Sequence, residues 1–123
     1  MMSNDIKLKR GDVVLVKLEG KGSEQVGLRP CIVTSNDACN KFSPVISVVP
    51  LTSKLDKRSI PTHMIITTDM YPIHRDSTVL AEQSTRIDKQ RICSELLFRL
   101  NEVDMKRLDR IVAIQWGLGN KAV

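Results

Sequence analysis

Arg29 stands in "GLRP", ahead of an apolar run, and Thr52-Ser53 stands in "PLTS", at the end of another. A guanidinium is a planar fork of donors that matches phosphate oxygens and stays protonated in proteins. A threonine or serine hydroxyl is a short donor. Such donors, already in place, can stabilise the charge of a phosphorane-like transition state. RNA suits so sparse a set because it carries its own nucleophile. A base takes the 2′-hydroxyl proton, the oxygen attacks the adjacent phosphorus, and the 5′-oxygen leaves with a proton from an acid. That chemistry asks for no metal and no cofactor. The bland account is also open: Arg29 as a surface charge and Thr52-Ser53 as an ordinary turn. The stretch "GSEQVGLRPCIV" (22–33) sharpens the question. Its turn needs glycine and small polar residues, but not Glu24 and Arg29 beside the entrance to a core strand.

Other chemistries find no support. "HRD" (74–76) lacks the asparagine and the glycine-rich loop of a kinase catalytic centre. "GKGSEQVG" leads into a strand rather than a helix, so it cannot cradle a phosphate as a dinucleotide fingerprint does. His63 and His74 have no metal-ligand spacing around them. The three cysteines, Cys31, Cys39 and Cys93, form no C-x-x-C pair and no disulfide framework. Cys31, beside Ile-Val, reads as a small core residue. Four aromatics in all are too few for a stacking platform. Phe42 in "NKFSP" is expected to plug the mouth of the fold, with base stacking as the other possibility.

These residues must be positioned by a chain of 123 residues, a length that suits one domain, residues 1–123. There are 19 Lys and Arg against 14 Asp and Glu, a net charge of +5, which favours an anionic partner. No apolar run reaches the roughly 20 residues of a membrane span, and the N-terminus has no apolar signal core. The expectation is a cytoplasmic protein with no membrane partner. "DVVLVKL" is apolar on both faces, as a strand in a small closed sheet would be. "PCIVTS", "PVISVVPL", "THMIIT" and "STVLAEQ" are β-branched or apolar runs between turn signals. "ELLFRL" alternates, with Leu96, Phe98 and Leu100 on one face. Several short strands joined by turns predict a mainly β fold, a small barrel or sandwich. Asn101 then caps a helix with Glu102 and Asp104 in its first turn. Leu108, Ile111, Val112 and Gln115 recur at helical spacing, and Gly117 and Gly119 stop it.

"KRGDVVLVKL", "GSEQVGLRPCIVTSND", "NKFSP", "VVPLTS", "PTH", "RDSTVLAEQ" and "IDKQR" together resemble the MazF/PemK family of toxin endoribonucleases. They occur in that family's order and cover roughly residues 9–118. The resemblance implies a small SH3-like (CcdB/PemK-type) barrel with a C-terminal α-helix, assembled as a homodimer. It implies cleavage of single-stranded RNA at short sequences without metal, leaving a 2′,3′-cyclic phosphate and a 5′-hydroxyl. It implies a MazE-like antitoxin partner that lays an extended acidic segment across the RNA groove. The family's catalytic arginine falls on Arg29, its catalytic threonine on Thr52, and its acidic first-loop residue on Glu24. Substrate-reading positions fall on Ser23, Gln25, Ser53, Pro61, His63, Glu82 and Gln83. Because Arg is a poor base, Arg29 is assigned to charge stabilisation and proton donation, and Thr52 to orienting the phosphate. Glu24 is the first choice of base. His63 is the second, with an intrinsic pKa better placed for the task; a half-buried strand histidine is its bland alternative.

Two departures stand out. "EQSTRIDK" sets Arg86 one position later than the family arginine, so alternation would turn it to the other face of its strand. Val26 replaces a loop glycine of the family pattern, which would stiffen the loop. A rival from another class rests on Trp116-Gly117-Leu118: CcdB-like toxins bind DNA gyrase through a Trp-Gly near the C-terminus, without nuclease activity. A non-catalytic RNA-binding module is the third reading.

Overall fold

Seven strands form one curled antiparallel sheet, a half-barrel, in this computed structural model, which describes residues 7–55 and 58–118. The strands are β1 (Asp12–Leu18), β2 (Gly27–Val33), β3 (Val45–Thr52), β4 (His63–Ile66), β5 (Ser77–Leu80), β6 (Thr85–Asp88) and β7 (Phe98–Arg99). Their order across the sheet is β4-β5-β3-β2-β1-β7, and β6 also pairs with β3, on the edge opposite β2. A short helix, α1 (Asp37–Phe42), joins β2 to β3, and the C-terminal helix is α2 (Glu102–Gln115). Among the described residues, no helix is long and apolar enough to cross a membrane.

The two-faced hydrophobicity of β1 has a direct cause. Successive strand side chains point to opposite faces, and both faces are covered. Val13 joins Ile32, Val49, Leu51, Met64, Ile66 and Val79 beneath Leu108 and Ile111 of α2. Val14 and Val16 join Cys31, Val33, Ile46, Val48 and Ile87 on the other side. The register Val13↔Ile32 and Val14↔Cys31 keeps each set on its own face. Burying each such side chain contributes roughly 1.5–3 kcal/mol.

α2 starts and ends as expected. The Asn101 side chain accepts from Asp104 N at 2.8 Å. At the other end Gly117 has φ +70°, Gly117 N donates to Ile114 O, and Leu118 N donates to Ala113 O. This pair of bonds closes the helix, and the left-handed residue between them favours glycine. Gly119 lies outside the described residues. Gly11 is needed for a different reason: at φ +96°, a Cβ there would meet Met105 Sδ at 2.5 Å.

Three expectations are corrected. Phe42 does not plug the fold. It ends α1, which spends its buried position on Asn40, and the ring is 77% exposed with Lys41 Nζ 5.2 Å from its centroid. "ELLFRL" forms only the two-residue strand Phe98–Arg99. Leu96 is exposed while Phe98 and Leu100 are buried, because pairing to β1 ends at Asp12 and Val13. Finally, β2 begins at Gly27, so Arg29 lies inside a strand opposite Val16 rather than ahead of one.

Cys31 packs in the core as expected, fully buried, and burial pushes its thiol up to about 12. Cys93 is exposed and Cys39 half-buried. A thiol-specific chromogenic reagent should therefore modify Cys93 first and Cys39 next in the native protein, and Cys31 only after denaturant is added. Three thiols reacting together without denaturant would contradict this core assignment.

Candidate functional site

Strand register brings the candidate chemistry to one face. Cys31 of β2 pairs with Pro50 of β3. That is the last β2–β3 pair, and two residues beyond it on each strand, extension of the same antiparallel register sets Arg29 toward Thr52. Thr52 pairs with Thr78 of β5, and Thr78 with Ile65 of β4. The adjacent row holds Cys31, Pro50, Leu80 and His63, with Leu80 paired to His63. The alternate residues Ile32, Leu51, Val79 and Met64 are buried under α2. Alternation therefore turns Arg29, Thr52 and Thr78 to the face away from the helix.

Arg29 is half-buried and donates from Nε to Val26 O at 3.0 Å. That bond anchors the guanidinium to the end of the β1–β2 loop. It leaves the two terminal nitrogens, the fork that matches a phosphate. Arg29 and Ser53 border a cavity of about 550 Å³ with an apolar floor that includes Leu15, Leu51 and Phe98. Thr52 closes β3, where its Oγ1 accepts from Lys54 N at 3.2 Å.

A groove of about 290 Å³ is bounded by Ser23, Glu24, Gln25, Pro50, Glu82 and Gln83. Five of the expected site residues thus meet although they come from two distant segments. Gln83 braces them: its Oε1 accepts from Gln25 N at 3.3 Å and its Nε2 donates to Ser23 O at 3.2 Å. The Glu24 carboxylate accepts from Lys21 N and so clamps its own loop in this conformation. Val26 is exposed at the end of that loop. Thr85 borders the groove, whereas Arg86, next to it on β6 and paired to Ser47, does not. With Ile87 in the core, alternation faces Arg86 outward, as the shifted spacing suggested.

Pro61 and His63 border a third cavity, of about 430 Å³, against Arg107, Ile111 and Ile114 of α2. His63 is buried along most of its ring, and its Nε2 lies 2.7 Å from Glu82 Oε2. The other Glu82 oxygen accepts from Thr62 Oγ1 at 2.9 Å. Burial pushes the Glu82 carboxyl up, but hydrogen bonds from His63, a backbone N–H and Thr62 outweigh it, and the net direction is down. A carboxylate with a lowered folded pKa contributes stability above its unfolded value, and loses it as pH falls through the folded one. Glu82→Gln should therefore flatten the dependence of melting temperature on pH below about 4.5 relative to the parent. Parallel curves for the two proteins would remove Glu82 from the acid response.

Two residues here escaped sequence reasoning, Thr62 and Thr78. Thr62 precedes a histidine at a strand start, and only folding brings it to Glu82, 20 residues on. Thr78 reads as an ordinary strand residue; its neighbours declare it.

The architecture is thus that of a small β protein, a curled antiparallel half-barrel with one C-terminal helix and with an arginine and a threonine on the face away from that helix. The sequence matches, over residues 9–116, the family described as PemK-like, MazF-like toxin of type II toxin-antitoxin system. The chain belongs to that PemK/MazF family. It is 40% identical over 114 residues to a Staphylococcus epidermidis protein named Endoribonuclease MazF, covering 92% of this chain and 94% of that one. Its fold is similar to MazF from Deinococcus radiodurans, with TM-score 0.74, 22% identity, and 92% and 99% of the two chains covered. It is also similar to a mycobacterial endoribonuclease solved in complex with its cognate antitoxin, with TM-score 0.72, 24% identity, and 92% and 98% covered.

Proposed function

We propose that this chain is a toxin endoribonuclease that cuts single-stranded RNA at a short recognition sequence, without a metal cofactor. The observation that carries the reading is that strand alternation turns Arg29 and Thr52 to one sheet face, beside a groove bordered by Ser23, Glu24, Gln25, Glu82 and Gln83. The 2′-hydroxyl gives its proton to a base and attacks the adjacent phosphorus. The bond to the 5′-oxygen breaks, and that oxygen takes a proton. The products are a 2′,3′-cyclic phosphate and a 5′-hydroxyl. Arg29 neutralises the developing charge with its terminal nitrogens and supplies the leaving-group proton, and Thr52 donates to a non-bridging oxygen. Glu24 serves as the base once it releases Lys21 N, with His63, held by Glu82, as the second candidate.

Ser53, Pro61 and the groove residues read the bases. A MazE-type antitoxin covers the same groove with an acidic segment, which suits the +5 charge. The antitoxin complex of the mycobacterial relative, and MazE–MazF complexes from Deinococcus radiodurans, support that partner. The protein acts in the cytoplasm as a homodimer; sedimentation velocity tests the assembly.

The test is incubation with a long single-stranded RNA in EDTA. Discrete fragments with 5′-hydroxyl ends are expected. Trapped gyrase–DNA complexes without RNA fragments would replace this reading with the gyrase-binding one, which the exposed Trp116 alone favours. RNA binding without fragments would leave a binding module.

A further inference from the structure

Thr78 is fully buried, yet its Oγ1 has no hydrogen-bond partner among the described residues. Buried hydroxyls almost always find a partner, and leaving one without is costly. Its neighbours across the ladder are Ile65 on one side, which offers no polar side-chain atom, and Thr52 on the other. Cross-strand neighbours hold their Cβ atoms about 4.5–5.5 Å apart, and threonine pairs at that spacing can hydrogen-bond. Thr52 Oγ1 already accepts from Lys54 N, which leaves it one more lone pair and its own proton.

Resting on the nuclease reading above, we infer that Thr78 is a positioning residue for Thr52, its buried hydroxyl donating to Thr52 Oγ1 when Thr52 turns its proton to the scissile phosphate. No bond is made or broken at Thr78. Its hydroxyl is too buried to touch RNA, so it acts through Thr52. A donor into Thr52 Oγ1 polarises that hydroxyl and strengthens its bond to the phosphate. It also removes one of the orientations in which the Thr52 proton points elsewhere. The interaction is absent in the free protein and present on the reaction path. It therefore favours the transition state over the ground state, which raises kcat rather than lowering KM.

The test compares Thr78→Val, Thr78→Ser and Thr78→Ala, each alone and with Thr52→Val, on a short RNA that the parent protein cuts. Valine keeps the shape and removes the hydroxyl. Expected is a fall in kcat on the order of tenfold with KM within about twofold. The melting temperature should not fall, since an unpaired polar atom has been removed. Serine restores the parent kcat, and alanine matches valine in kcat although it packs less well. In the Thr52→Val background, Thr78→Val costs nothing further. Parent kcat in the valine variant would overturn the inference, as would a serine variant as slow as valine, or an undiminished loss in the Thr52→Val background. A parent protein that leaves RNA intact, or a Thr52→Val variant at full rate, would instead overturn the assignment of the site, and this inference with it.

Discussion

Arg29→Ala should lower the rate of RNA cleavage by about 10²–10³-fold or more, with little change in melting temperature. The two halves of this expectation have separate causes. Among the described residues the guanidinium makes one protein hydrogen bond, from Nε to Val26 O, and the residue is half-buried. Deleting it opens no core cavity, since Val16, its partner on β1 and on the same face, is already packed by Val14, Cys31 and Val48. Its chemical task is different. A pentavalent phosphorus carries more charge on its equatorial oxygens than the ground-state diester, and a fixed cation is worth most where charge accumulates. Arg29→Lys keeps the charge but loses the fork, and should recover only a small part of the rate. Thr52→Val removes one donor of the same set and should cost less than Arg29→Ala. Initial rates on a fluorogenic RNA, beside thermal melts of each variant, decide the matter. An Arg29→Ala protein within about threefold of the parent rate would displace the proposed centre from this face.

The second large effect is on stability. Asp104→Ala should destabilise the fold by about 2–4 kcal/mol. Asp104 is buried in the first turn of α2, where its Oδ2 accepts from Tyr71 OH at 2.5 Å and its Oδ1 from Arg107 at 2.7 Å. Tyr71 OH in turn accepts from Asn101 N at 3.1 Å, the backbone N–H of the helix cap itself. Its ring lies 5.0 Å from that of Phe98. Burial and the neighbouring carboxylate push the phenol up to about 12, so it remains a donor throughout the working pH range. Removing the carboxylate leaves a buried phenol without its acceptor and a guanidinium without its pair. Arg107 is half-exposed and its pair with Asp104 counts for little by itself. Most of the loss therefore comes through Tyr71. Asp104→Asn, which keeps an acceptor, should cost about half as much, and Tyr71→Phe about 1 kcal/mol. Urea unfolding of the three variants measures this. An Asp104→Ala cost below about 1 kcal/mol would mean that the helix is held by Leu108 and Ile111 alone.

Much of the architecture is local and was legible. Asn101, the acidic first turn and Gly117 mark both ends of α2 because capping is a matter of a few consecutive backbone groups. β1 announced burial on both faces because alternation is a property of the strand itself. Where neighbours decide, the chain by itself misled. Phe42 is apolar yet exposed, because α1 is one short turn anchored through Asn40, whose Nδ2 donates to Ser35 O at 2.8 Å, and not through its aromatic end. Leu96 alternates with Phe98 yet finds no strand to share, because β7 is only as long as its pairing with Asp12 and Val13.

The residue types by themselves determined what chemistry is possible: a permanent cation, a small alcohol, a loop carboxylate and no metal-ligand spacing. They determined a mainly β chain closed by one helix. Folding alone turns Arg29 and Thr52 to the same face, lets Gln83 brace the loop carrying Ser23 and Gln25, and sets the Thr78 hydroxyl beside Thr52 with no partner among the described residues. The reason is register. A strand's own pattern says which of its residues share a face, but sliding the pairing by one residue would turn Arg29 away from Thr52, and that alignment is set by the packing of Cys31, Val33 and Val48 in a core built from distant segments.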